Sequence, residues 1–457
     1  MNTLIFTSLL GFFCMVAEIL NLRKLIGPVL VLGLALIFGL NQQDWNMNQT
    51  FYGMLQVDNF SVAFGSLAIF ITLLVFILSS EYYADQEHHI SDYMTILCFV
   101  LVGALMMFSF SNLTMLFLGI ETLSIALYIM AGSKRFDKRS NEAGFKYFLM
   151  GAFASGFLLF GIALVFGSTG SFDIQKIAEY PILNSQNISP LYYTGIVLII
   201  FAMLFKVSAA PFHFWAPDVY EGAPVLITAY MSTLVKVAAF AAFYKLVSAV
   251  FVYSTPHFEF VLNIAAILTL AVGNLMALSQ TNFKRLLAYS GISHAGYLML
   301  IILSSKSQPV AALLYYLLGY SVSTIAAFAV AMPVFKAANS ENIDAFNGLG
   351  TKKPVLAAAL SIAMLGLAGI PPFMGFFGKY FIFTEALQNG FFITTIVAIV
   401  GSMIGIYYYF KVILAMYGQP ANEVKVETTF NYNLVLWVCL AISLALGLYP
   451  APIVNLF

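Results

Sequence analysis

Charge is scarce in this chain. Only 9% of its 457 residues are Asp, Glu, Lys or Arg, where soluble domains carry roughly 25%. Hydrophobic residues make up 61%, and the mean hydropathy is +0.92. A water-soluble fold of this size cannot hide that much apolar surface, which leaves an integral membrane protein. Net charge is zero, so no basic patch marks a surface for nucleic acid, and none is expected as a partner. Cysteine is equally sparse. Cys14, Cys98 and Cys439 sit singly inside apolar runs with no CxxC, which argues against a disulfide frame or a metal–sulfur cluster. No GxGxxG follows a strand and no P-loop is present. Alternating strand patterns are missing, against a β-barrel. The most polar stretch, EYYADQEHHISD (81–92), is short and reads as a solvated loop, whose His88 and His89 are either a simple exposed pair or a metal site. The opening MNTLIFTSLLGFFCMVAEIL lacks a positively charged start and a cleavage site, so it is expected to be retained as a first span.

What the chain has is long apolar runs. Fourteen are long enough to cross about 30 Å of hydrocarbon: near 4–20, 25–40, 59–78, 94–110, 112–131, 144–166, 191–210, 224–250, 259–280, 285–303, 309–334, 355–384, 390–416 and 431–455. The fold class expected is all-α, a polytopic membrane protein of about 14 transmembrane helices. Odd-numbered connections carry Arg23, Lys24, Lys134, Arg135, Lys138, Arg139, Lys284, Arg285, Lys336, Lys352, Lys353, Lys411 and Lys425; even-numbered ones carry only Lys176 and Lys306. Positive charge accumulates on the cytoplasmic side. The odd connections are therefore expected inside and both termini outside.

A repeat lies within these runs. AMLFKVSAAPF (202–212) matches AMLGLAGIPPF (363–373), and Ser124, Tyr128, Ala143 and Tyr147 match Ser293, Tyr297, Ala312 and Tyr316. Spans 4–8 thus resemble spans 9–13, and since five is odd the second copy enters the membrane inverted, a pattern typical of transporters. The expected organisation is a three-span segment (1–80), a first five-span repeat (92–252), a second, inverted repeat (257–418) and a final span (430–457). Pro211 interrupts span 7, and Pro371 with Pro372 interrupts span 12. A proline removes a backbone donor and clashes with the preceding turn, and such a break is tolerated in a bilayer only inside protein or beside a wet cavity. Lys206 is expected at the C-terminal end of its half-helix, where the dipole favours a cation.

The few charges inside the spans are the candidate functional residues. A mid-membrane charge costs about 2.5–3.5 kcal/mol on the lenient insertion scale, so Glu121, Lys146, Lys206, Lys236 and Lys379 together cost on the order of 12–17 kcal/mol. A fold stable by about 5–15 kcal/mol needs compensation for that. Lys245 reads as snorkelling to the interface. Lys146, four residues after Glu142, is either a surface ion pair or functional. His294 in SGISHAGY is either a satisfied core histidine or part of a relay. Burial weakens an amine's hold on its proton, so lysines in an apolar interior suit proton transfer near neutral pH. A carboxylate about 7 Å away at an effective dielectric near 20 acts with roughly 2.4 kcal/mol. Moving Glu121 toward or away from Lys206 would then switch a row of lysines.

FLGIETLSIALY with Glu121, FKVSAAPFHFWAPDVYEGAP with Lys206, MSTLVKVAAF with Lys236, AYSGISHAGYL with His294 and GIPPFMGFFGKY with Lys379 together resemble the antiporter-like membrane subunits of respiratory complex I, whose relatives include subunits of sodium/proton antiporters. The match spans nearly the whole chain, and PFHFWAPDVYEGAP is its most specific part. Within that group the chain is most similar to the N-type: the lateral helix of the L-type is not expected, and the M-type usually carries Glu where Lys379 stands. The resemblance implies a proton-translocating subunit of NADH:quinone oxidoreductase in a bacterial inner membrane. It implies Glu121 and Lys206 as a modulating pair, Lys236 as central proton carrier, His294 as a bridge, Lys379 as the terminal site toward the outside, and Lys146 on the same polar axis. It also implies that FMN, iron–sulfur clusters and quinone reside in partner subunits. Those partners would be K-type and M-type neighbours and a peripheral redox arm, with lipid around them. A sodium/proton antiporter subunit is the alternative.

Overall fold

In the computed structural model residues 1–83, 90–251, 256–307, 309–418 and 426–457 are described. The loop residues His88, His89 and Lys425 fall outside them, as does the side chain of Lys306. The chain is almost wholly helical. The first half runs α1 (Asn2–Ile19), α2 (Arg23–Gln43), a short hairpin of β1 (Gln49–Phe51) and β2 (Leu55–Val57), α3 (Asn59–Tyr82), α4 (Ile90–Ser109), α5 (Leu113–Ala131), α6 (Lys138–Thr169), α7 (Ile174–Leu183), α8 (Pro190–Lys206), α9 (Trp215–Gly222), α10 (Val225–Tyr230) and α11 (Lys236–Leu246). The second half runs α12 (Pro256–Leu278), α13 (Phe283–Leu303), α14 (Val310–Ala338), α15 (Leu349–Lys352), α16 (Pro354–Ala368), α17 (Met374–Gln388), α18 (Phe392–Tyr417), α19 (Phe430–Leu448) and α20 (Ala451–Val454).

Helix is the form an apolar run must take in hydrocarbon, because it satisfies every backbone group within the segment. Side chains mark where several helices start. Asp58 and Ser61 form a reciprocal capping box at α3. Asn112 Oδ1 accepts from Thr114 N at 2.8 Å, and Asn282 Oδ1 from Arg285 N at 3.0 Å. Among the described residues twelve helices, with Val225–Val250 as one, are long and apolar enough to cross a membrane. The two other expected runs contain the proline breaks. Their first pieces, α8 and α16, are 17 and 15 residues long, and each gives way to a second helix, α9 or α17, after a short non-helical stretch. Ala210–Pro211 and Pro371–Pro372 are cis peptide bonds.

The centre of the molecule is α10–α11, α13 and α14, buried on nearly every side, whereas α1, α2, α6 and α18 turn most of their surface outward. That outward surface is apolar, carrying Phe153, Phe160, Ile393 and Met403, as lipid or an apolar neighbour requires. Helices α4 and α5 meet at Gly103 and Gly119; a Cβ on Gly103 would lie 2.6 Å from Leu123 N. Gly273 of α12 faces the Ser293 backbone of α13 in the same way. Helix α6 packs on α8 and α9, as α14 does on α16 and α17. Before α5, Leu113 N donates to Phe172 O (2.9 Å) and Ile174 N to Ser111 O (3.1 Å). Before α13, Phe283 N donates to Glu341 O and Ile343 N to Thr281 O (both 2.9 Å).

Candidate proton-relay site

The helix breaks place two lysines where backbone carbonyls are left over. A helix ends with four unpaired C=O groups. Lys206 is the last residue of α8, at the negative end of its dipole, and its Nζ donates to Ser124 Oγ of α5. The break is lined by side chains that take up its freed groups: Trp215 Nε1 donates to Phe205 O at 3.1 Å, and Thr269 Oγ1 accepts from Ala210 N at 2.8 Å. At the second break Lys379 of α17 reaches back to the end of α16, donating to Ala368 O (2.6 Å) and to Ser402 Oγ (2.8 Å). Gly369, with φ of 80°, turns the chain there without a side chain to obstruct that reach.

Lys236 opens α11 directly after a π-helical turn, Met231–Val235, the kind of irregularity common at functional sites. Its Nζ donates to Gly291 O of α13 and stands 5.3 Å from the centre of the Tyr320 ring. His294, one turn further along α13, is held on both ring nitrogens, by Tyr316 Oη on Nδ1 (2.6 Å) and Tyr409 Oη on Nε2 (3.0 Å). Tyr409 Oη also bonds Ser290 Oγ. The Tyr320 ring lies 4.7 Å from the His294 ring, and Lys379 Nζ lies 5.1 Å from the Tyr297 ring. A small cavity of about 10 Å³, lined by His294, Tyr316, Tyr320 and Lys379, separates the histidine from the last lysine. That is close to the room one water needs.

Lys206, Lys236, His294 and Lys379 are 7%, 7%, 3% and 6% exposed, so all four are interior groups. Glu121 differs. It is half-buried on α5 and accepts from Ser155 Oγ of α6. Among the described residues no ion pair joins it to Lys206, which donates to a different serine, Ser124. Lys146 is 34% exposed and pairs with Glu142 (2.7 Å) and also with Asp218 (2.8 Å), which puts it at a charged rim rather than among the four buried groups. The head of Lys245 turns inward rather than snorkelling outward, donating to Phe108 O at 3.1 Å with Phe60 and Phe110 about it.

Residues 111–405 match the family described as NADH:quinone oxidoreductase/Mrp antiporter, TM. The chain belongs to that membrane family. NADH-quinone oxidoreductase subunit N of Flavobacterium psychrophilum is 48% identical to it over the whole of both chains. The protein of the same name from Cytophaga hutchinsonii is 44% identical over 98% of each. A chain of respiratory complex I from Thermus thermophilus with bound aureothin superimposes with a TM-score of 0.84 at 31% identity, covering 99% of this chain and 98% of that one. A chain of the Mrp complex from Dietzia sp. has a TM-score of 0.87 at 20% identity, covering 99% and 95%, which shows a shared fold alone.

Within this family member the sequence reading located the buried cations but not their partners. Tyr316 and Tyr320 come from the next long helix, α14, and Tyr409 from α18, and of the three only Tyr316 carries a sequence signal, its match to Tyr147. Lys284, expected in a loop, is instead 2% exposed and donates to Glu341 and to Ala223 O, both at 2.8 Å. Asp218, Glu221 and Arg285 form a second charged group. A signal existed for it: Asp218 and Glu221 are three apart in PDVYEG, hence on one helix face, within the most specific stretch of the resemblance.

Proposed function

We propose that this chain is the N-type proton-translocating membrane subunit of a bacterial NADH:quinone oxidoreductase, moving protons along Glu121, Lys206, Lys236, His294 and Lys379. The observation that carries this reading is the set of four ionisable side chains, each nearly inaccessible and each held by neutral groups at a helix irregularity or on the helix opposite one. Carbonyls, hydroxyls and ring faces solvate an ammonium without fixing it as a carboxylate would. Family relatives at 44–48% identity carry the name NADH-quinone oxidoreductase subunit N, while the Mrp chain lies at 20%, which favours redox-driven pumping over sodium/proton exchange.

In this reading Glu121 and Lys206 act as a charge switch. Rotation of Ser155 and Ser124 would let the carboxylate and the amine approach, and the field at Lys236 would change. Lys236 passes its proton by way of His294 to Lys379, and Lys379 releases it outward. Lys146 serves at the rim on the uptake side. FMN, iron–sulfur clusters and quinone belong to a peripheral arm and other subunits, and K-type and M-type chains flank this one in the inner membrane. The chain crosses fourteen times, spans 7 and 12 as broken helices, with both termini periplasmic. The two capped junctions before α5 and α13, and the matching packing of α6 and α14 on the broken helices, support inverted repeats at 92–252 and 257–418, preceded by 1–80 and followed by 430–457.

The test is Glu121→Gln in the assembled complex. Proton uptake driven by NADH into membrane vesicles should fall at least about tenfold, since the switch is neutralised, with the complex intact on a native gel. Pumping at the wild-type level overturns the reading.

A further inference from the structure

Among the described residues the densest cluster of charge surrounds the short helix α9 and touches the relay just described only at Lys146. Asp218 Oδ2 meets Lys146 Nζ and Asp218 Oδ1 meets Arg285 Nη1, both at 2.8 Å. The same Arg285 nitrogen lies 2.9 Å from Glu221 Oε2. The preceding residue, Lys284, donates to Ala223 O, the carbonyl that ends α9, and to Glu341. Gly222 sits against the Arg139 carbonyl of α6, where a Cβ would come within 2.5 Å. Two cavities, of about 230 and 1010 Å³, flank this place and share Arg139, Glu221 and Gly222 as walls; Arg285 lines the smaller and Lys284 the larger.

Two facts make this arrangement more than a topogenic charge. Lys284 and Arg285 occupy the first turn of α13, the positive end of a helix, where cations are disfavoured. Retaining lysine and arginine on the cytoplasmic side requires only that they be near the membrane surface, not that one be 2% exposed. And α9 needs an anchor. It is eight residues long, follows the break at Pro211 and stops at Ala223–Pro224, so side chains rather than a continuing helix hold its end.

We infer that Lys284 and Arg285 are positioning residues: an inter-repeat clamp that locks the second half of broken span 7 to α13, and with it the geometry of proton transfer. This rests on the proposed function. The clamp acts through two helices. Helix α13 carries His294 and Gly291, whose carbonyl accepts from Lys236, and α9 leads through the turn at Ala223 into the helix that bears Lys236. Releasing the clamp lets these slide past each other. The amine then loses the Gly291 carbonyl, and transfer to His294 is interrupted while electron transfer in other subunits can continue.

The experiment uses the assembled complex carrying D218N, R285Q, the double variant, or E221Q. Two readouts are taken: protons moved per NADH oxidised in vesicles, and hydrogen exchange over residues 215–223 in the detergent-solubilised complex. D218N and R285Q should each lower the proton ratio at least threefold and raise exchange at least fivefold. The double variant should fall by less than the two single losses multiplied, because the Asp218–Arg285 contact is lost in both singles. Wild-type ratios in both singles, losses that multiply in the double, or unchanged exchange overturn the clamp. If D218N and R285Q do not assemble, E221Q decides, since it removes one of two carboxylates on Arg285: a lowered ratio with raised exchange upholds the clamp, wild-type values refute it. A wild-type complex that oxidises NADH and moves no protons refutes the proposed function instead, and the exchange readout still judges the clamp.

Discussion

At the scale of single residues, the lysines fall into two kinds by what receives their protons. Lys206, Lys236 and Lys379 meet hydroxyls and carbonyls, whereas Lys146 and Lys284 meet carboxylates. A charged partner ties an ammonium down and a neutral dipole only solvates it, so the first three suit transfer and the last two suit architecture. Gly291 tests this. A methyl there would sit 3.4 Å from Lys236 Nζ and 3.4 Å from Tyr320 Oη, an ordinary contact that the fold absorbs, and alanine is the better helix former by roughly 0.5–1 kcal/mol. Gly291→Ala is therefore expected to leave the thermal midpoint of the solubilised complex unchanged or slightly raised. It should also cut NADH-driven pumping about threefold or more, by replacing polar space beside the amine with an apolar group. A variant that pumps normally would show that this space is not used.

At the scale of elements, the broken helices matter because each leaves a polar end inside an apolar body. The α16 end is completed by a residue from α17, Lys379, and Gly369 makes room for it. At φ of 80° a side chain is strained, and a Cβ would lie 2.7 Å from Lys379 Cδ. Gly369→Ala should destabilise the subunit by about 1–3 kcal/mol and displace the amine from Ala368 O, lowering the thermal midpoint and pumping together. Gly369→Asn, which tolerates left-handed backbone better, should lose less stability. Equal midpoints for the two variants would remove the backbone explanation. Gly291 borders Lys236 and Tyr320, whereas Gly369 belongs to the turn that holds Lys379.

At the scale of the whole molecule, an apolar exterior surrounds a polar thread. Helices α1, α2, α6 and α18 present apolar surface outward, while the buried Lys206, Lys236, His294 and Lys379 lie on α8, α11, α13 and α17. Positive loops set the orientation, with both ends outside if the chain crosses fourteen times. Alkaline phosphatase fused after Phe457 should then be active and green fluorescent protein at the same site dark; the reverse result would mean an odd number of crossings or the opposite orientation. Glu121 lies only half-buried at mid-span, next to exposed Ile125 and Leu118. A carboxylate in that position is costly against lipid, so the α5 face is where an adjoining subunit is most needed.

Composition alone determined that this is a multi-pass helical membrane protein, because 61% hydrophobic residues leave no other solvent and helices no other backbone solution. Residue type and depth also singled out Lys206, Lys236, Lys379 and Glu121, since a charge in an apolar run stands out without any alignment. Tertiary structure decided the rest. It gave Glu121 and Lys206 separate serine partners, moved Lys146 to a rim, and buried Lys284 against Glu341 and the Ala223 carbonyl. It also supplied the tyrosines around His294, from the neighbouring α14 and the distant α18. The physical reason is range: hydrophobicity and helix breaks act within a few turns, whereas the partner of a buried charge comes from whichever helix packing brings within about 3 Å, and sequence separation carries no record of that.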